Sequence, residues 1–306
     1  MAEFLTHRLE GAVWGHLIGD AIGVPYEFGS PLDPAQVEMR GFGAHNQPAG
    51  TWSDDGALTL ALLDSLLSAG FDTDDQARRA MAWYQHGAYT PDAQRFDIGS
   101  ATKAALDRYA RGIPAEKCGL PDSAGNGSLM RILPLALVER TIPDARLVEH
   151  ARRASAVTHG DARAGVCCAF YVLLARGIIA GARPASALAD VSQRLRSLYR
   201  EAGDERSLAA FDFIMAYKLR GGRGRVWDSL WSAWDAFAGA DSHELTIRRA
   251  IAYGDDTDTT AAIAGGLAGL YWGIDGIRQD WLMGMRGREI VEPLIVKLVS
   301  ATPKSR

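Results

Sequence analysis

Cysteine is scarce. Three residues in 306, at positions 118, 167 and 168, are too few for a disulfide framework, and the adjacent pair lacks the spacing of a zinc knuckle. Buried free thiols in a reducing compartment are the expectation. Surplus positive charge is also missing: a formal net charge of −4 gives no support to a nucleic-acid partner. The first ten residues are polar and acidic and do not read as a signal peptide, and the longest apolar runs fall short of a membrane span. A cytoplasmic location is therefore expected. Convincing period-two alternation and β-branched clusters bounded by turns are absent, which excludes an extensive sheet. No repeat of roughly 30–45 residues and no linker-like low complexity breaks the chain into units.

What is present is helical pattern. With 47% hydrophobic and 23% charged residues, the chain can bury a large core. Helical spacing predicts elements over residues 5–22, 73–87, 99–111 and 129–140. It then runs almost without relief over 144–157, 161–180, 184–202, 206–219, 225–237, 242–253, 259–272 and 288–300. Thr73-x-x-Gln76 reads as a capping box, and Pro143 and Pro184 sit where first-turn prolines belong. Pro134 either kinks its helix or marks the true first turn. Residues 29–50 and 114–127, rich in Gly and Pro, read as loops. The expected fold is all-α, a compact orthogonal multi-helix bundle, with residues 1–306 as a single domain.

Two features ask for more than helix formation. Gly11, Gly15, Gly19 and Gly23 recur every four residues in the first helix, and Ala261, Gly265, Gly269 and Gly273 do so near the C-terminus. Interior glycine costs about 1 kcal/mol, so such rows suggest helices packed at short distance, although glycine is abundant throughout. If the rows meet, Asp20 and Glu27 approach the acidic cluster described next.

That cluster is Gly254-Asp255-Asp256-Thr257-Asp258-Thr259-Thr260, ahead of a small, apolar helix; Thr51-Trp52-Ser53-Asp54-Asp55-Gly56 precedes another. Like charges this close repel, and helix capping, solvent or a bound cation could offset them. Two such heads about two hundred residues apart make sense if they converge on one site, and hard oxygen donors suit Mg²⁺, Mn²⁺ or Ca²⁺ rather than zinc. An EF-hand fails, because counting from Asp256 places Ala261 at the glycine position and Leu267 at the bidentate glutamate. Asp256-x-Asp258-x-Thr260 matches the nucleophile motif of haloacid-dehalogenase-type phosphatases, which requires a strand before it. Gly125-Asn126-Gly127 is compatible with an anion nest at a helix start.

Taken together, residues 11–28 (GAVWGHLIGDAIGVPYEF), 52–60 (WSDDGALTL), 96–99 (FDIG), 125–134 (GNGSLMRILP), Thr158-His159 and 254–266 resemble the ADP-ribosylglycohydrolase family, of the dinitrogenase-reductase-activating type. The resemblance implies an all-α fold and a dinuclear site for two divalent cations, Mg²⁺ or Mn²⁺. It implies hydrolysis of the bond between C1″ of ADP-ribose and a modified protein side chain, so an ADP-ribosylated protein is the expected partner and ADP-ribose the product. Matching positions imply Ser53, Asp54, Asp55, Asp256, Asp258 and Thr259 as metal ligands, with serine at 53 where the family usually has threonine. Glu27, together with Asp55 and Asp256, is implied in catalysis. Gly125, Asn126, Gly127 and Ser128 match the loop that holds the pyrophosphate, and His159 matches a site position, although a lone histidine is more often structural. Asp97 matches a position near the substrate in members acting on arginine; its alternative is to cap the helix beginning near Gly99. A non-catalytic ADP-ribose-binding or structural descendant, and the phosphatase, are the competing functions.

Overall fold

The computed structural model describes residues 2–301. Fourteen α-helices and no strand are found among the described residues, as the missing alternation predicts. They are α1 (Ala2–Gly23), α2 (Asp54–Ala69), α3 (Thr73–His86), α4 (Ser100–Ala110), α5 (Leu133–Val138), α6 (Asp144–Ala156) and α7 (Ala162–Ile179). The second half contains α8 (Pro184–Glu201), α9 (Glu205–Ala216), α10 (Val226–Ala238), α11 (His243–Ala252), α12 (Thr257–Trp272), α13 (Gln279–Gly284) and α14 (Arg288–Ser300).

Local chemistry explains where the predicted boundaries fail. Asp72, not the expected Thr73, caps α3: in an extended conformation its carboxylate accepts the amides of Asp74 and Asp75. The helix expected over 129–140 begins only at Leu133, because Pro134 has no N–H to donate and is tolerated only in a first turn. α9 stops at Ala216 instead of 219, and the Gly- and Arg-rich segment 217–225 is a loop. The long loop 29–50 is present but anchored: Leu32 N–H donates to Ala252 O at 3.1 Å, and Arg286 N–H to Gly50 O. By length and composition α7 could cross a membrane, at mean hydropathy 1.6, but 72% of it is buried within the protein. It serves here as a core helix.

The centre of the bundle is the pairing of α1 with α12, the most extensive between any two helices. A methyl group added at Gly11 would lie 2.5 Å from Gly269 O, and at Gly15, Gly19 and Gly23 it would press still closer on Gly265, Ala261 and Asp258. The two glycine rows therefore do meet, backbone against backbone. His243, on α11, completes this contact: its Nε2 lies 2.9 Å from where a Gly15 Cβ would stand. His16 and His243 are both fully buried. Burial pushes each imidazole down to about 4, so both rings are neutral at neutral pH.

Gly19→Ala is expected to destabilise the fold by about 1–3 kcal/mol or more, because neither backbone can retreat without moving its helix. Gly177→Ala is the control: its Cβ would meet only Ala187 and Ala182 methyls at 3.8 and 4.0 Å, so it should be neutral or stabilising by up to about 1 kcal/mol. Urea unfolding of both variants checks this, and equal midpoints would refute the packing argument.

Acid should act through the buried rings. A histidine whose folded pKa is depressed contributes stability above its unfolded value of about 6.5, lost as pH falls toward the folded value, with a slope of about 1.4 kcal/mol per pH unit. Between pH 6.5 and about 4, wild type should therefore lose stability relative to His243→Leu by roughly that slope. Urea titrations at stepped pH measure it, and a pH-independent difference between the two proteins would contradict a neutral buried ring.

Candidate active site

The head of α2 is assembled around buried carboxylates. Asp20, from α1, accepts the Ser53 amide at 2.9 and 3.1 Å and the Gly56 amide at 2.7 Å. Ser53 caps the helix, its Oγ accepting the Asp55 amide at 3.2 Å while lying 3.3 Å from Asp55 Oδ2 as a donor. Asp20 is thus spent on the backbone of α2 rather than on the cluster at Asp256. Glu27 does reach that cluster: one carboxylate oxygen each from Glu27, Asp256 and Asp258 lie within 4.8 Å of one another.

The two acidic heads converge. Thr259 Oγ1 donates to Asp55 Oδ2 at 3.1 Å across the α2–α12 boundary, and Thr257 Oγ1 donates to Gly23 O at 2.8 Å, tying the start of α12 to the end of α1. A cleft of about 250 Å³ opens in front, lined by Glu27, Asp54, Asp256 and Thr259 together with Gly125, Asn126, Gly127 and His159. Ser53, Asp55 and Asp258 lie buried behind the wall. Asn126 Nδ2 donates to Asp256 Oδ2 at 2.9 Å, fixing that carboxylate from the glycine loop.

Electrostatically this is a stressed assembly. Burial raises Asp54, Asp55 and Asp258 well above the usual carboxylate range, with the neighbouring acids pushing in the same direction. Asp256 rises to about 6, again through burial, against the lowering effect of the Asn126 amide. Asp55 Oδ1 and Asp258 Oδ2 are buried without a hydrogen-bond partner. Leaving such oxygens unpaired is costly, and the donors around them are all oxygens, so the residues fit hard divalent cations.

Asp97 also lines the cleft and does not hold the capping position of α4: Gly99 is the N-cap, and it has no side chain to cap with. The backbone at Asp97 is left-handed, at φ 52°. Ser128 departs from expectation. It does not line the cleft; it is fully buried, its Oγ accepting from Ser155 Oγ at 2.9 Å, so its side chain supports the loop from behind. Nor does Gly125-Asn126-Gly127 open a helix: Leu129 and Met130 amides turn back to Asn126 O, and α5 starts later, beyond the turn. The phosphatase reading fails as well, since Asp256 follows the helix α11 rather than a strand.

Sequence reasoning missed two contributors, and gave a third pair, inside the quoted motifs, no role. His45, from the long loop, binds Glu27 through Nε2 and stands between Phe28 and Phe96, with ring centroids 5.8 and 5.2 Å away. The 217–225 loop places Gly224 against Asp256 and is held by buried Asp228, which accepts the Gly221 and Arg223 amides and the Tyr217 hydroxyl. Its four glycine and arginine alternations were the available signal. Arg131 and Thr158 stand behind His159, which is buried and lowered to about 3 by burial and by the Arg131 charge.

These features have parallels in known proteins. The chain is 33% identical over 307 aligned residues to the ADP-ribosylarginine hydrolase Tri1 of Pseudomonas putida (strain GB-1), covering 99% of this chain and 80% of that protein. It is 27% identical to the ADP-ribosyl-[dinitrogen reductase] glycohydrolase of Rhodospirillum rubrum, over 90% of this chain and 89% of the relative. A solved structure described as an ADP-ribosylglycohydrolase-related protein complex superposes with a TM-score of 0.78 at 33% identity, over 98% of this chain and 99% of that one. The ADP-ribosylglycohydrolase family model matches residues 1–306, and with the acidic heads, the glycine loop and the all-α frame in agreement, the chain belongs to the ADP-ribosylglycohydrolase family.

Proposed function

We propose that the protein is a metal-dependent hydrolase that releases ADP-ribose from a modified protein side chain, arginine in preference to serine, by cleaving the glycosidic bond at C1″. The observation that carries this reading is the junction of the two acidic heads through Thr259 and Asp55 at the wall of one cleft. Ser53, Asp54, Asp55, Asp256, Asp258 and Thr259 would hold two Mg²⁺ or Mn²⁺ ions. Bound there, such ions supply positive charge for the vicinal ribose hydroxyls and for activation of water. A cytoplasmic location, in keeping with three free cysteines, belongs to the same proposal.

The chain's own groups divide the remaining work. Burial lifts Glu27 to about 7 against the lowering hydrogen bond from His45, which keeps a carboxyl near the pH where it can both take and give a proton. Glycosidic cleavage needs that exchange, because the departing nitrogen or oxygen gains a proton as water loses one. Asn126 holds Asp256 in orientation. Asp97 faces the same space as Glu27 and offers a carboxylate to a planar guanidinium, which carries charge and paired donors where a serine hydroxyl has neither.

Arginine- and serine-linked ADP-ribosyl peptides, incubated with the protein in Mg²⁺, Mn²⁺ or EDTA, test the proposal by the appearance of free ADP-ribose. Release from the arginine peptide should require metal. Asp97→Asn should lose activity chiefly on that peptide, while Glu27→Gln should retain ADP-ribose binding and lose most turnover. Faster release from the serine peptide by wild type, or equal losses on both linkages for Asp97→Asn, would refute the arginine preference. Undiminished turnover in EDTA would refute the metal requirement.

A further inference from the structure

Arg131 is a fully buried cation for which no carboxylate partner exists among the described residues. Burial lowers it only to about 10, so it remains charged. Its Nη2 donates to Ala154 O at 3.0 Å and to Thr158 Oγ1 at 2.9 Å. Thr158 is itself buried, and among the described residues the only other hydrogen-bonding neighbour of its Oγ1 is His159 Nδ1, also at 2.9 Å. The count of protons then decides the direction. Arginine can only donate, so the threonine oxygen accepts from Arg131, and its single hydroxyl proton has one place to go, the lone pair of Nδ1. Were Nδ1 protonated instead, two donors would converge on Oγ1 and the hydroxyl proton would be buried without an acceptor.

The remaining ring proton therefore sits on Nε2. That nitrogen has no partner among the described residues and lies on the cleft edge of the ring. A Cβ at Gly125 would be 3.4 Å from it, and one at Gly127 3.3 Å, with Cε1 at 2.8 Å. The two glycines leave a path between Nε2 and the cleft that any side chain would close.

We propose that Arg131 and Thr158 are positioning residues that lock His159 as the neutral tautomer protonated on Nε2, giving the cleft a fixed N–H donor for a phosphate oxygen of ADP-ribose. The ligand half of this statement rests on the proposed function; the tautomer half does not. Arg131 also biases the site electrostatically: its charge disfavours a second proton on the ring, so Nδ1 stays an acceptor for the Thr158 hydroxyl near neutral pH.

Histidine-selective ¹⁵N labelling of the intact protein tests both halves, with His159→Gln identifying the resonance among the seven histidines. Long-range ¹H–¹⁵N spectra should show His159 with an unprotonated Nδ1 and a protonated Nε2. Thr158→Val should abolish that pattern or mix it with the other tautomer, and Thr158→Ser should restore it. Titration with free ADP-ribose should then show about tenfold weaker binding for Thr158→Val than for Thr158→Ser, the loss expected when one donor to a charged acceptor is misaligned. With the modified peptide, KM should rise while kcat changes less. A wild-type tautomer in Thr158→Val overturns the relay. A shifted tautomer with unchanged ADP-ribose affinity overturns the donor role, and an absence of hydrolysis in every protein, with the tautomer as described, counts against the proposed function alone. Arg131→Met, where it folds, should reproduce the spectrum of Thr158→Val.

Discussion

The contact between the glycine faces of α1 and α12 is the constraint on which the rest of this structure depends. Side-chain packing normally separates helices by 8–10 Å, and removing Cβ on both partners lets carbonyls and α-carbons touch. Two consequences follow at the C-terminal end of α1. Gly23 presses on the backbone of Asp258, and Gly23 O receives the Thr257 hydroxyl. The chain leaving α1 therefore emerges beside the first turn of α12, which is why Glu27 can share a site with Asp256 and Asp258. A larger residue in the rows would part these groups before it touched any of them.

Against that rigid frame stands an assembly that opposes folding. Several carboxylates are buried together, and two of their oxygens find no donor. The structure compensates where it can do so with neutral groups: backbone amides for Asp20, hydroxyls for Asp55, an amide for Asp256. Among the described residues no arginine or lysine pairs with the acidic clusters themselves, although ion pairs are plentiful elsewhere on the surface. A lysine or arginine there would relieve the repulsion and also occupy the oxygens. Other buried polar atoms also lack partners, but they are scattered and mostly uncharged, whereas here several carboxylates are concentrated at one place, which is the pattern of a binding site.

Much of this was legible in the sequence because it is local. Four-residue glycine rows and hydroxyl-acid heads before apolar helices are patterns within one turn, and their physical meaning survives without knowing the fold. What was not legible depends on partners distant in sequence. His45 belongs to a loop with no periodic pattern, and the anchoring of that loop to Ala252, Arg286, Tyr26 and Pro25 brings it to Glu27. The end of α9 was overrun because Asp228, the carboxylate that holds the following loop, lies inside the next helix and gives no signal at the boundary it determines. Ser128 is a further case: its loop reaches the cleft, but its hydroxyl falls on the core side against Ser155, a residue distant in sequence that no pattern within the motif signals.

Carboxylates and uncharged groups meet in one cleft. Glu27, Asp54, Asp97 and Asp256 line it together with Gly125, Gly127 and His159, and the charge of Arg131 is buried behind the histidine ring. Asn126 joins the two sets, its amide donating to Asp256 Oδ2 at 2.9 Å. With no cation bound, an anionic oxygen about 4 Å from one ionised carboxylate would cost on the order of 4 kcal/mol at an effective dielectric of 20. That exceeds what one well-made neutral hydrogen bond returns, about 1 kcal/mol. An anionic ligand therefore gains from this lining only where the carboxylates are neutralised, by protons or by bound cations, and the same carboxylates that strain the fold tie binding to whatever neutralises them.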